Sequence, residues 1–117
     1  MRVNTLYSTK EVLTEQGRRM ELRYYLIQDI RSRMVFGHKQ DGESVAEHEP
    51  SQERITYGIR IVKIEDEQEE QECLSGLSAR MESVERLLKQ MVYGLVTPTS
   101  AVAIADDWAA MEYDSCD

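Results

Sequence analysis

The sequence is short of the residue types on which most site chemistry rests. Its 117 residues include two cysteines, two histidines, six glycines, one tryptophan and one phenylalanine. Cys73 and Cys116 stand far apart and form no CxxC pair. The chain therefore carries no disulfide framework or zinc motif, and reduced thiols in a cytoplasm are the simplest reading. The glycines are scattered and give no phosphate-cradling loop. No apolar run approaches a membrane span, and the opening MRVNTLYSTK lacks the apolar core of a signal peptide. The expected location is cytoplasmic.

Positive charge is also scarce. There are 14 Lys and Arg against 22 Asp and Glu, a formal net charge of −8. Nucleic-acid affinity comes largely from neutralising phosphates with Lys and Arg, so this balance argues against a nucleic-acid partner. It equally disfavours an anionic membrane. The imbalance is uneven: residues 1–34 carry seven bases and four acids, and residues 35–117 carry seven bases and eighteen acids. The expectation is that the two halves complement each other within one fold.

What remains is ordinary globular material. Hydrophobic content is 41%, close to that of soluble domains. The expected organisation is one α+β domain over residues 1–113, with a flexible insertion at 37–53 and a frayed tail at 114–117.

The clearest pattern is an amphipathic helix over Ser78–Gly94. Met81, Val84, Leu88, Met91 and Leu95 recur at three and four residues, widened by Leu87 and Val92. Ser78 is the expected N-cap, and Gly94 the expected left-handed residue after the last turn. A second helix is expected from Pro98 through about Met111, capped by Thr97. Ala101, Ile104, Ala105, Trp108 and Met111 share its apolar face.

Upstream the period is two. Residues 2–9 read as a strand and 14–18 as a turn in which Gly17 takes a positive φ. Met20, Leu22, Tyr24, Leu26 and Ile30 form the inward face of a second strand. Residues 54–64 form a third, with Gly58 marking a bulge or a close neighbour. Residues 65–72 read as an acidic turn, and ECLSGLS as a short fourth strand. The expected fold is an antiparallel β-meander of three to four strands. One face is packed by a long amphipathic helix, and a second C-terminal helix follows.

Several features together resemble a family of small, uncharacterised bacterial proteins, common in Firmicutes and known only as a domain of unknown function. They are Tyr24-Tyr25-Leu26, Tyr57-Gly58-Ile59, the helix Val84–Val92, Val96-Thr97-Pro98 and Asp106-Asp107-Trp108. The likeness spans most of the chain outside about 31–53. It implies the same α+β meander and carries over no activity or cofactor.

No constellation reads as a catalytic, cofactor or metal site. His38 and His48 have Asp41, Glu43, Glu47 and Glu49 nearby, but a ten-residue spacing in a loop fixes no ligand geometry, so a solvated loop is expected. Asp106 and Asp107 are helix neighbours about 100° apart and cannot share one site well. They are expected at the solvent edge, with Arg18 or Arg19 as an ion-pair partner. The acids of residues 65–72 lack the glycine of a calcium loop and read as solvated. Cys73 has no basic neighbour in sequence to lower its pKa. Exposed aromatics are the remaining clue: Tyr25, Tyr93 and Tyr113, with the aliphatic Ile27 beside Tyr25's strand face, form the candidate interaction surface, unless the second helix covers them.

The reading is therefore a small soluble interaction or regulatory module without catalytic activity. Its expected partner is another protein, or a second copy through a sheet edge or helix face. The alternative is a small-ligand binder or enzyme with a pocket between sheet and helices, using Asp106 or Tyr57.

Overall fold

The computed structural model describes residues 1–33 and 52–114. The order of elements is β1 (Arg2–Leu13), β2 (Arg19–Arg33), β3 (Gln52–Glu65), β4 (Gln68–Ser78), α1 (Met81–Tyr93) and α2 (Pro98–Asp114). The strands form one sheet in the order β1-β2-β3-β4, with every neighbouring pair antiparallel. The architecture is thus α+β: a four-stranded meander and two helices.

The strands outrun their sequence signals. β2 does not stop at Ile30, because Arg31, Ser32 and Arg33 remain paired with Arg54, Glu53 and Gln52. Backbone pairing needs no apolar side chain, so the ladder persists where the hydrophobic alternation ends. The insertion expected at 37–53 lies outside the described residues up to 51, and Gln52 and Glu53 belong to β3.

Two turns set the register. Between β1 and β2, Thr14 N donates to Arg18 O at 2.8 Å and Gly17 takes φ +79°, as its place in TEQGR predicts. Between β3 and β4 the acidic run is not a long turn. Only Asp66 and Glu67 turn, at φ 54° and 65°, and the acids from Glu69 onward lie in β4. Two left-handed residues match the right-handed twist of a hairpin, but this backbone suits Asn-Gly better than an acid pair. Glu67 pays about 1 kcal/mol for its Cβ. Glu67→Gly should therefore raise stability by about 1 kcal/mol, read as a higher urea midpoint with unchanged slope.

The helix boundaries also differ from expectation. α1 has 13 residues, fewer than the stretch Ser78–Gly94 suggested. Arg80, not Ser78, precedes its first turn, and Ser78 Oγ instead accepts from Arg80 N at 3.0 Å. Gly94 sits at φ −87°, while Leu95 is the left-handed residue at φ 54°. Leu95 N donates to Val92 O, and Val96 N to Met91 O, closing the helix end in a Schellman pattern. Leu95 thus lies beyond the helix and is 40% exposed. At the next helix Thr97 O accepts from Ser100 N and Ala101 N, with Pro98 in the first position, as the spacing predicts.

One layer of side chains joins these elements. Leu22, Tyr24, Ile59 and Ile61 from the central strands share a buried cluster with Val84, Leu87, Leu88 and Met91 of α1 and Ala101 of α2. Full burial of each large side chain stabilises by roughly 1.5–3 kcal/mol. Tyr24 also donates its phenol to Val96 O at 2.9 Å, tying the sheet to the link between helices. Its burial pushes the phenol pKa up to about 12. Met81 and Met111, expected on the apolar stripes, are instead 40% and 68% exposed.

Candidate interaction face

Strand alternation assigns each residue to the helix-covered face or to the opposite, outer face. On β2 the outer set is Glu21, Arg23, Tyr25, Ile27, Asp29 and Arg31. On β3 it includes Arg54, Thr56, Gly58, Arg60, Val62 and Ile64, opposite them in the register. The helices leave this outer face uncovered, since α1 and α2 pack on the cluster side.

At its middle the two edge strands meet. Arg2 of β1 grips Asp29 with two bonds, Nε to Oδ1 at 2.7 Å and NH2 to Oδ2 at 3.0 Å. The same guanidinium donates to Cys73 Sγ of β4 at 3.4 Å. Sequence reasoning missed this cation beside Cys73 because 71 residues separate them. The hydrogen bonds from Arg2, with Arg31 adding its charge, hold Asp29 below the usual carboxylate range.

Gly58 makes this meeting possible. A Cβ there would lie 2.1 Å from Leu74 O, so the β4 backbone occupies the space of the missing side chain. Register shifts on both edge strands, at Leu6/Ser8 on β1 and opposite Tyr57/Ile59 on β4, mark the bulges that bend them.

This roof corrects one expectation directly. Ile27 pairs with Gly58 and points to the outer face, yet it is 0% exposed. Tyr25 is half-buried, with the Arg60 guanidinium 5.9 Å from its ring centroid. Arg60 in turn donates to Gln71 Oε1 at 2.9 Å and 2.6 Å. Tyr93 is 92% exposed but stands at the end of α1, on the helix side of the sheet. The structure therefore does not bring Tyr25, Ile27 and Tyr93 into one patch, and the side chain of Tyr113 lies outside the described set.

The remaining candidates are also dispersed. Asp106 and Asp107 are exposed on α2. Arg18 pairs with Asp66 at 2.6 Å, not with either of them. Tyr57 packs against the core cluster. His38, His48 and their acidic neighbours, with Cys116, lie outside the described residues. Among the described residues no group of three or more His, Cys, Asp and Glu is placed to hold a metal. No helix among them is long and apolar enough to cross a membrane.

The outer face has a charge pattern that the sequence order conceals. From the row Leu6–Tyr25–Arg60–Cys73 toward Arg31, the outer face carries Arg2, Arg31, Arg54 and Arg60 against Asp29. Arg31 and Arg54 are exposed and directly opposite each other. Like charges in that position repel. Among the described residues neither pairs with an acid. Toward the Asp66–Glu67 turn the same face carries Glu11, Glu21 and Glu69 against Arg19 and Arg23, with Glu21 paired to Arg23.

A model of a family of unknown function (DUF6514) matches residues 3–111, and the chain belongs to that family. No curated protein and no solved structure matches it.

Proposed function

We propose that this family member is a small interaction or regulatory module without catalytic activity, which docks a protein partner through the helix-free face of its sheet. The observation that carries this reading is the exposed Arg31–Arg54 pair: two cations held directly opposite each other, neither of them in an ion pair among the described residues. Such a pair costs stability in the isolated chain and gains it against an acidic surface. The edges are less suited to docking, because bulges on β1 and β4 interrupt the straight ladder that an added strand requires. The layer between sheet and helices, where a ligand pocket would have to open, is filled by Leu22, Tyr24, Ile59, Leu88 and Met91.

The test is capture from native cell extract by tagged chains, read by mass spectrometry. Wild type and Tyr93→Ala should retain the same stoichiometric protein, including any untagged copy of the chain itself. Arg54→Glu/Arg60→Glu should lose it while its circular dichroism melt stays normal. Equal retention by the arginine variant would move the docking surface elsewhere. Retention of nothing by wild type would remove the reading.

A further inference from the structure

Resting on that docking reading, we infer that the Arg31–Arg54 corner is an anion clamp, and that the group it grips is a phosphorylated side chain on the partner protein. The middle of the outer face is closed over, with Ile27 at 0% and Val62 at 5% exposure, so the accessible part is the end beyond Asp29. Arg31 and Arg54 are both exposed there and pair directly across the antiparallel ladder. Residues so placed have Cβ atoms about 5 Å apart, which lets two guanidiniums close on one anion. Thr56, the next outward residue of β3 and opposite Asp29, adds a hydroxyl beside them.

Charge selects the anion. Asp29 is the carboxylate of that corner among the described residues, and Arg2 takes both its oxygens, at 2.7 Å and 3.0 Å. Arg31 and Arg54 therefore leave a local excess of two positive charges. A single carboxylate carries one charge and fills one guanidinium fork. Two carboxylates brought into the same space repel each other. A phosphoryl group brings a charge of about −1.5 to −2 and three acceptor oxygens on one phosphorus, enough for both forks and the Thr56 hydroxyl. Nucleic acids and anionic membranes present phosphates too, but as extended surfaces that a chain of net charge −8 repels. One isolated clamp matches one phosphate on a protein.

Peptides Gly-Gly-X-Gly-Gly test this, with X phosphoserine or glutamate and the amide NMR shifts of the full chain as the readout. The phosphoserine peptide should shift signals around Arg31 and Arg54 and bind at least about tenfold more tightly than the glutamate peptide. Its affinity should fall from about pH 7.5 to about pH 5, because the dianion takes up a proton near pH 6, while glutamate binding holds. Arg31→Gln/Arg54→Gln should bind phosphoserine at least about tenfold more weakly and melt no lower than wild type, since a repulsive pair has gone. Arg31→Lys/Arg54→Lys, which keeps the charge but not the forks, should fall between. Equal binding of the two peptides overturns the inference. So does phosphoserine binding that survives the glutamine variant, or tighter binding of a single-stranded oligonucleotide or of phosphatidylserine vesicles. In the capture experiment, phosphatase treatment of the extract should abolish retention. If the protein is retained after phosphatase yet lost by Arg54→Glu/Arg60→Glu, the docking face stands and only the phosphoryl group is wrong. If wild type captures nothing and the phosphoserine peptide fails to bind, both fall.

Discussion

Gly58→Ala should lower stability by about 3 kcal/mol, the upper end of the usual cost of overpacking. The added Cβ would sit 2.1 Å from Leu74 O and 2.9 Å from Ser75 Cα. Both are backbone atoms of β4, so no side chain can swing aside. The strand itself must move, and it is held by its pairing with β3 and by the Arg2 contact at Cys73. Moving it also opens the roof over Ile27, which is now fully buried. Against a total of about 5–15 kcal/mol, the loss should be plain in urea unfolding. Gly17→Ala is the matched control. Its φ of +79° carries strain but nothing lies within 4 Å, so its cost should stay near 1 kcal/mol. Equal effects at the two positions would show that the close approach at Gly58 does not exist.

That glycine also shows how far the sequence could be read. Its interruption of an otherwise β-branched strand predicts a bulge or a near neighbour, and the β4 backbone is that neighbour. The meander was legible because period-two alternation, short connections and the TEQGR turn agree. Boundaries were not. Arg31–Arg33 and Gln68–Gln71 are strand only because a partner ladder holds them, and polar residues carry no periodic signal of that. The shift of the left-handed position from Gly94 to Leu95 has the same character. Composition favours glycine there, but the Val96 N to Met91 O bond that closes the last turn places the reversal one residue later.

The candidate face was less legible still. Alternation correctly put Tyr25 and Ile27 outward, but outward does not mean exposed when an arginine from β1 and the backbone of β4 meet above. Neither partner is near Ile27 in sequence. The arginines that dominate the face fell partly in residues 31–53, where the apolar pattern lapses. One signal was available: extending the odd phase of β2 past Ile27 gives Asp29 and Arg31, a charged row on one side of one strand. The excess of bases in residues 1–34 was visible too, but only the register shows how it divides, with Arg2 and Arg31 toward one end of the sheet and Lys10, Arg19 and Arg23 toward the other.

The second large effect is expected in the layer between helix and sheet. Leu88→Ala should cost about 3–4 kcal/mol, the range for removing a leucine from a core that cannot collapse onto the gap. Leu88 is 0% exposed and belongs to the same cluster as Leu22, Tyr24, Ile59 and Ile61. A pleated sheet beneath it resists local collapse, because moving one strand disturbs the ladders on both sides. The loss should therefore be global: far-UV circular dichroism and Trp108 fluorescence should report one shared, lower urea midpoint, since Trp108 packs against the same cluster. Met81→Ala, at the exposed start of the same helix, should change stability by no more than about 0.5 kcal/mol. If Leu88→Ala were as mild as Met81→Ala, or if α1 melted separately from the sheet, the helix would not be anchored on the strands. The outer face would then no longer be the only uncovered side of the sheet, and the docking argument built on it would lose its footing.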